Sequence, residues 1–262
     1  MKKMIMAIVL GAGLLVGITG CSKSFPGQGG GGNGSERIRI GVRVDIRRWA
    51  YYDKTTETFS GAEVDYARAL GKKLGYGQVE LVPVTPENLK LSINNGEVDC
   101  LVSKCTIMDT SKEEYEFSPG YCEDQGSLMV EKSSRITEWA GLKGQKIAFL
   151  NGSDVKKRAR KKMIDMGIIS EADEAGTEFV GYDNYEEMSQ ALEAGDVAAF
   201  AADACILRAW QDEGRELLKD SYQDKEYGVA VLKDTALSDE VAKAVKDMKE
   251  EGVMDKILER WY

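Results

Sequence analysis

Histidine is absent from all 262 residues. That absence excludes Ser-His-Asp and Cys-His nucleophilic catalysis, and it excludes metal sites built on imidazole. Positive charge is also in short supply. The chain has 35 lysines and arginines against 44 aspartates and glutamates, a net charge of -9. With no basic stripe, a nucleic-acid partner is not expected. Beyond the first twenty residues no apolar run approaches the length that crosses a bilayer. Cysteine is sparse: Cys21, Cys100, Cys105, Cys122 and Cys205. Their spacing fits no zinc pattern, so neither a metal nor a cofactor is expected.

What is present begins at the N-terminus. Lys2 and Lys3 precede an apolar run from Met4 to Ile18, and Ile18-Thr19-Gly20 sets small residues before Cys21. A positive start, an apolar stretch and a small-residue cleavage site make a secretory signal over residues 1–20. The cysteine at the cut resembles the lipobox of bacterial lipoproteins, which implies a diacylglycerol on the Cys21 thiol and a lipid-anchored protein on the extracytoplasmic face of the cell membrane. The competing reading is an uncleaved anchor, since the stretch is nearly long enough to span. Residues 21–35, with Gly29-Gly30-Gly31-Gly32, have no apolar periodicity and read as a flexible tether. In an exported chain a disulfide is permitted, and Cys105 with Cys122 is the pair to test; small buried thiols are the alternative.

The rest alternates strand and helix signals. Arg37 to Val44 reads as a strand, and Ala62 to Leu74 as a helix with Val64, Ala67, Leu70 and Leu74 on one face and Gly75 at its stop. Strands follow at Val79 to Val84 and Val98 to Ser103. Between them Thr85-Pro86 opens a helix ending near Gly96. The pattern then recurs. Lys146 to Leu150 is a strand, Ser153 to Met166 a basic helix, and Glu178 to Tyr182 a strand. Asn184 with Glu187 forms a capping box, and Ala198 to Ala202 is a strand ending at Asp203. Tyr227 to Leu232 is a late strand, and Ser238 caps a helix that runs to Glu251. The expected class is α/β with largely parallel sheet, in two lobes. Ligands in such sheets sit beyond the carboxyl ends of the strands, so the cleft between lobes is the natural site.

Several fragments, taken in order, carry a family resemblance: Gly61-Ala62-Glu63-Val64-Asp65 with Ala67-Arg68-Ala69-Leu70, Asn95-Gly96-Glu97-Val98-Asp99, Thr106-Ile107, Glu116-Phe117-Ser118 and Leu142-Lys143-Gly144. Ala191-Leu192-Glu193-Ala194-Gly195 with Asp203, and Gly252-Val253-Met254-Asp255-Lys256-Ile257, complete the series. Together they resemble the polar amino-acid binding proteins, family 3 of the bacterial solute-binding proteins, over nearly all of Arg37 to Tyr262. The resemblance implies a type II periplasmic-binding-protein-like fold whose lobes are joined by a two-segment hinge. It also implies a monomer that closes on an amino acid or related small polar solute and delivers it to the permease of an ABC importer. The expected lobes are residues 36–127 plus 226–262, and residues 128–225, with hinge segments near Gln125 to Val130 and Ser221 to Gly228.

The resemblance assigns site residues and also exposes a departure. Members of the family clamp the ligand's α-carboxylate with an arginine a few residues after Thr-Ile; counting back from Phe117-Ser118, that position is Ser111 here, with Lys112 out of register. Asp203 matches the acid that takes the ligand's ammonium group, or is a strand-end cap. Leu150, Gly152 and Ser153 match a turn whose free N–H groups favour an anion. Asp154 adds a negative charge there, which also suits a helix dipole. Asp45, Arg48, Trp49, Ser103, Lys104 and Thr106 complete the expected ligand-binding set. A replacement clamp could come from Arg47, Arg48 or Lys104, unless all three face solvent. Trp49, Tyr51 and Tyr52 supply either an aromatic wall or core. The chain is read as a receptor and not an enzyme. The alternatives are a ligand-sensing or partner-binding lipoprotein and, below that, a dehydratase-like enzyme.

Overall fold

The computed structural model of the chain describes residues 36–108, 115–172 and 174–262. The leader, Cys21, the tether, Ser111 and Lys112 lie outside the described residues.

The chain enters the first sheet through β1 (Arg37–Arg43), whose Ile38, Ile40 and Val42 are buried on one face while Gly41 and Arg43 are buried on the other. A small antiparallel sheet follows, β2 (Asp45–Ile46), β3 (Ala50–Asp53) and β4 (Thr58–Ser60). Gly61, at φ 128°, then turns the chain into helix α1 (Ala62–Lys73). Any Cβ at Gly61 would collide with the Trp49 carbonyl, so only glycine permits this approach. The predicted apolar face of α1 is buried through Val64, Ala67 and Leu70, with Leu74 as its C-cap.

Strand β5 (Gln78–Val84) returns parallel to β1. The helix expected to open at Thr85-Pro86 is shorter. The Asn88 side chain accepts the Thr85 N–H at 2.7 Å and closes a turn there, so α2 covers only Leu89–Asn94. Strand β6 (Cys100–Val102) pairs parallel with β1, and β7 (Tyr115–Phe117) lies at the sheet's other edge.

A ten-residue strand, β8 (Cys122–Glu131), leads into the second sheet. There β9 (Lys146–Leu150), α3 (Val155–Asp165), β10 (Glu178–Tyr182), α4 (Tyr185–Ala194), β11 (Ala199–Asp203), α5 (Ala204–Trp210) and β12 (Arg215–Leu217) follow in turn. The Asn184 side chain accepts the Glu187 N–H at 2.9 Å, which is the N-cap half of the expected capping box, and Glu187 Oε1 accepts from the Asn184 side-chain amide at 2.8 Å. The strand order is β10-β9-β11-β8-β12, with β9, β10 and β11 parallel and β8 antiparallel to β11.

Strand β13 (Tyr222–Tyr227) pairs antiparallel with the first half of β8, from Tyr222 opposite Gly126 to Tyr227 opposite Cys122. The chain then breaks at Gly228 before β14 (Ala230–Leu232) joins β6 and β7. The single late strand read from Tyr227 to Leu232 is therefore two, because the chain changes sheets within it. Helix α6 (Ala236–Glu250) has Thr235 at its N-cap; the Ser238 hydroxyl, expected to cap it, instead donates to Glu116. Helix α7 (Val253–Trp261) completes the described residues.

The result is a two-lobed α/β fold with one large sheet per lobe, the small β2-β3-β4 sheet beside the first, and the β8–β13 ribbon running between the lobes. One buried apolar cluster takes in Ile40 and Val42 of the first sheet, Trp49 and Tyr227, and Phe200 and Cys205 of the second. The lobes are shut on one another.

Candidate functional site

Two strand ends face each other across the cleft. Strand β6 stops at Val102, and Lys104 follows in a left-handed conformation, φ 54°. Its backbone N–H donates to Glu63 Oε1 at 2.7 Å, which anchors that costly geometry. On the opposite lobe β11 ends at Asp203, only 6% exposed. The Lys104 ammonium reaches Asp203 Oδ2 at 2.8 Å, with both side chains buried at 7% and 9% exposure.

Two more cations converge on the same carboxylate. Lys225 of β13 lies 3.0 Å from Asp203 Oδ1, and the Arg158 guanidinium of α3 lies 3.4 Å from it. Arg158 also pairs with Asp154 at 2.8 Å, while its Nε is buried with no hydrogen-bond partner. Tyr227 accepts from Lys104 at 2.8 Å and donates to Asp124 Oδ2 at 2.9 Å; Asp124 in turn accepts the Cys205 N–H at 3.2 Å. Burial alone would push the Asp203 carboxyl up, but Lys104 and then Lys225 hold it well below the usual carboxylate range. Burial works to lower the Lys104 ammonium, and the facing Asp203 more than reverses that, raising it.

This arrangement is a buried carboxylate whose cation positions are already filled by side chains. The sheets place it at the carboxyl ends of β6 and β11, where an open α/β sheet receives its ligands. A separate concavity of about 790 Å³, bordered by Lys146, Glu193 and Asp196, sits at the opposite ends of the second sheet's parallel strands and does not include the Asp203 cluster.

The model of the bacterial extracellular solute-binding proteins, family 3, matches residues 38–262. The chain belongs to that family. A relative within the receptor family, the ABC transporter glutamine-binding protein GlnH of Bacillus subtilis (strain 168), is 28% identical over 233 residues, which cover 87% of this chain and 81% of that one. A glutamine-binding protein of Geobacillus stearothermophilus is 28% identical over 204 residues, covering 76% and 74%. Among solved structures, an ancestral arginine-binding protein bound to arginine matches with a TM-score of 0.69 and 27% identity over 88% of this chain and 100% of that one. The relatives are named as solute-binding proteins, and a two-lobed receptor fold accounts for the architecture described above.

Within this receptor fold, the residues singled out in the sequence separate into groups. Lys104 and Asp203 meet directly. Thr106 forms an isolated bridge with Tyr227 beside them. Ser103 donates its hydroxyl to the Gly41 carbonyl at 2.7 Å, a buried packing bond. Trp49 is 1% exposed, lies edge-on to Tyr227 at 6.2 Å, and leaves its buried indole N–H without a partner. Asp45 is exposed and holds Arg43 through contacts of 2.8 and 2.6 Å. Arg48 extends over the Tyr262 ring at 5.7 Å, and Arg47 pairs with Glu186 at 2.7 Å, so neither guanidinium is among the partners of Asp203.

At the turn before α3, Gly152 takes φ 76° and the Ser153 hydroxyl donates back to the Leu150 carbonyl at 2.6 Å. The exposed turn therefore presents Asp154 rather than a free hydroxyl. Tyr52 tilts against Phe59 in the small sheet, centroids 4.7 Å apart, as local packing. All four cysteines among the described residues are free thiols, and burial pushes both Cys105 and Cys122 up to about 12.

Arg158, Lys225, Tyr227 and Asp124 were not expected at the site. Arg158 is one cation among many on a basic helix. Its four-residue spacing from Asp154 is the sole local signal, and surface pairs share that spacing. Lys225 and Tyr227 reach Asp203, and Asp124 reaches Tyr227, through the pairing of β8 with both β11 and β13.

Proposed function

We propose that this protein is an extracytoplasmic receptor for an amino acid or a closely related small polar solute, held at the membrane through Cys21 and handing its solute to an ABC importer. The observation that carries the reading is the position of Asp203: a buried carboxylate at the end of β11, facing Lys104 of the other lobe within a family 3 receptor fold. Relatives named for glutamine and a neighbour bound to arginine support testing α-amino acids first. The lobes divide at 127/128 and 225/226, and the β8–β13 ribbon serves as the hinge about which they open.

Solute contacts come from Asp203 and Lys104, with Arg158, Lys225, Trp49 and Thr106 around them. Asp45, Arg48 and Ser103 support the cleft from outside it, and the Leu150-Gly152-Ser153 turn forms its rim. A thermal-shift screen of the full chain against amino acids, amines, organic acids and small peptides tests the reading. A ligand at a hundredfold excess over its dissociation constant adds about 2.7 kcal/mol of apparent stability. A shift confined to α-amino acids is expected. Within that class Asp203→Ala should weaken binding roughly 10–100-fold, the range of a lost charged hydrogen bond.

A second reading draws on the saturation of Asp203 by Lys104, Lys225 and Arg158. A receptor fold with the cation positions of its buried carboxylate filled from within also suits a lipoprotein that signals through a partner. No shift with any compound class, in a sample that unfolds cooperatively, favours that reading.

A further inference from the structure

Asp203 has two oxygens and three cations. Lys225 bridges both oxygens at 3.0 and 3.1 Å, Arg158 approaches Oδ1, and Lys104 takes Oδ2. Lys225 and Arg158 share the lobe of Asp203 or the ribbon beside it, whereas Lys104 comes from the opposite lobe. Of the three, Lys104 is the one that opening the cleft must pull away. Its backbone stays fixed by Glu63, but its four-carbon stem can swing the ammonium through several ångströms. The sequence between Cys105 and Ser118 contains no arginine to receive a carboxylate.

We propose that Lys104 is a built-in occupant of the amino-group subsite on Asp203, and that a zwitterionic α-amino acid binds by inserting between the two, its ammonium taking Asp203 and its carboxylate taking Lys104. The insertion rests on the amino-acid reading above and adds the specificity-determining residue to it. Charge is conserved at every contact: one buried pair is exchanged for two. An amine without a carboxylate would bring a further cation to a carboxylate that already faces Lys104, Lys225 and Arg158, leaving the displaced Lys104 unpaired in a buried site. An acid without an ammonium would engage Lys104 and leave Asp203 with two of its three cations, Lys225 and Arg158. Both half-ligands are therefore disfavoured relative to the zwitterion. The same pair also latches the lobes together, alongside the exposed Arg47–Glu186 contact and the Tyr262 hydroxyl that donates to the Cys205 carbonyl at 3.2 Å.

The test uses the full chain and two independent readouts. Small-angle scattering of the empty protein measures closure: Lys104→Met should enlarge the radius of gyration, and Lys104→Arg should not. An unchanged radius in Lys104→Met overturns the latch whatever the solute proves to be. Calorimetric titration then compares L-glutamine and L-arginine with the decarboxylated amine and the deaminated acid of each. The wild type should favour the zwitterion over either half-ligand by at least about tenfold, the scale of one charged hydrogen bond. In Lys104→Met the zwitterion and the amine should bind within about threefold of each other, because the carboxylate has lost its partner. Lys104→Arg should restore the wild-type preference. A wild-type preference retained in Lys104→Met overturns the carboxylate role of Lys104, and an acid that binds the wild type as well as the zwitterion overturns the insertion. Absence of binding by every compound to wild type and variants overturns the amino-acid reading and the insertion with it, while the scattering result still decides the latch. Should Lys104→Met fail to fold, Lys104→Gln serves both comparisons.

Discussion

Asp203 shows at the residue scale why a buried charge must be counted with its neighbours. A carboxylate at 9% side-chain exposure is stable as an anion only because three cations surround it. Asp203→Asn leaves those cations facing a neutral amide, and a loss of about 3–5 kcal/mol in urea unfolding is expected. Because its folded pKa is depressed, its stabilising contribution is present above the ordinary value of 3.8 and is lost as pH falls through the folded value. Glu63 runs the other way. Burial pushes its carboxyl up, Tyr121 donates to Oε1, and Oε2 is buried without a partner, which suits the protonated acid. Its contribution is complete below the ordinary value of 4.5 and fades as pH rises through the folded value. Glu63→Gln keeps the accepting oxygen without the ionisation, so its stability should gain on the wild type as pH is raised from about 4.5 toward neutrality, read from urea midpoints. Glu63→Gln falling further behind as pH rises would reverse that assignment. Lys104 and Asp203 were legible in the sequence through the family resemblance, which matches Asp203 to the acid that takes an ammonium group and sets Lys104 near the ligand, each at a recognisable strand end. Arg158 was not, since nothing local separates a buried arginine from the five other cations of its helix.

At the scale of the element, local chemistry was legible wherever it acts locally. The Asn184 side chain caps α4 by accepting the Glu187 N–H, and Asn184→Ala should cost about 1 kcal/mol of stability in thermal or urea unfolding. Ser238 had an equally plausible capping position, yet the Glu116 carboxylate from β7 outcompetes the helix terminus for its hydroxyl. Thr85-Pro86 carries the signature of a helix start, but the Asn88 side chain reaches back to the Thr85 N–H and defers the helix by a turn. The β8–β13 ribbon left no local trace, because its partners are brought together only by the fold. Gly126 of β8 leaves no room for a side chain against the Tyr222 ring, which itself stands edge-on to Trp139 at 5.7 Å. Gly126→Val should displace that ring and cost about 1–3 kcal/mol by overpacking, measured by denaturant unfolding. A fully stable variant would show that the ribbon repacks freely.

For the whole molecule, the cleft is closed by contacts of very unequal worth. Arg47 and Glu186 span the lobes with about half of each side chain exposed, so Arg47→Ala should change stability by no more than about 1 kcal/mol. The weight falls on Lys104 and Asp203, withdrawn from water and screened little by salt. That pair also bears on time. A receptor that rests open takes up solute as fast as solute arrives, and its observed rate climbs in proportion to concentration. A receptor shut by its own ion pair waits on the rupture of that pair, so in stopped-flow mixing its uptake rate should level off at high solute. The plateau then measures how often the empty molecule opens, a clock set by one lysine and one aspartate and indifferent to which amino acid is waiting outside.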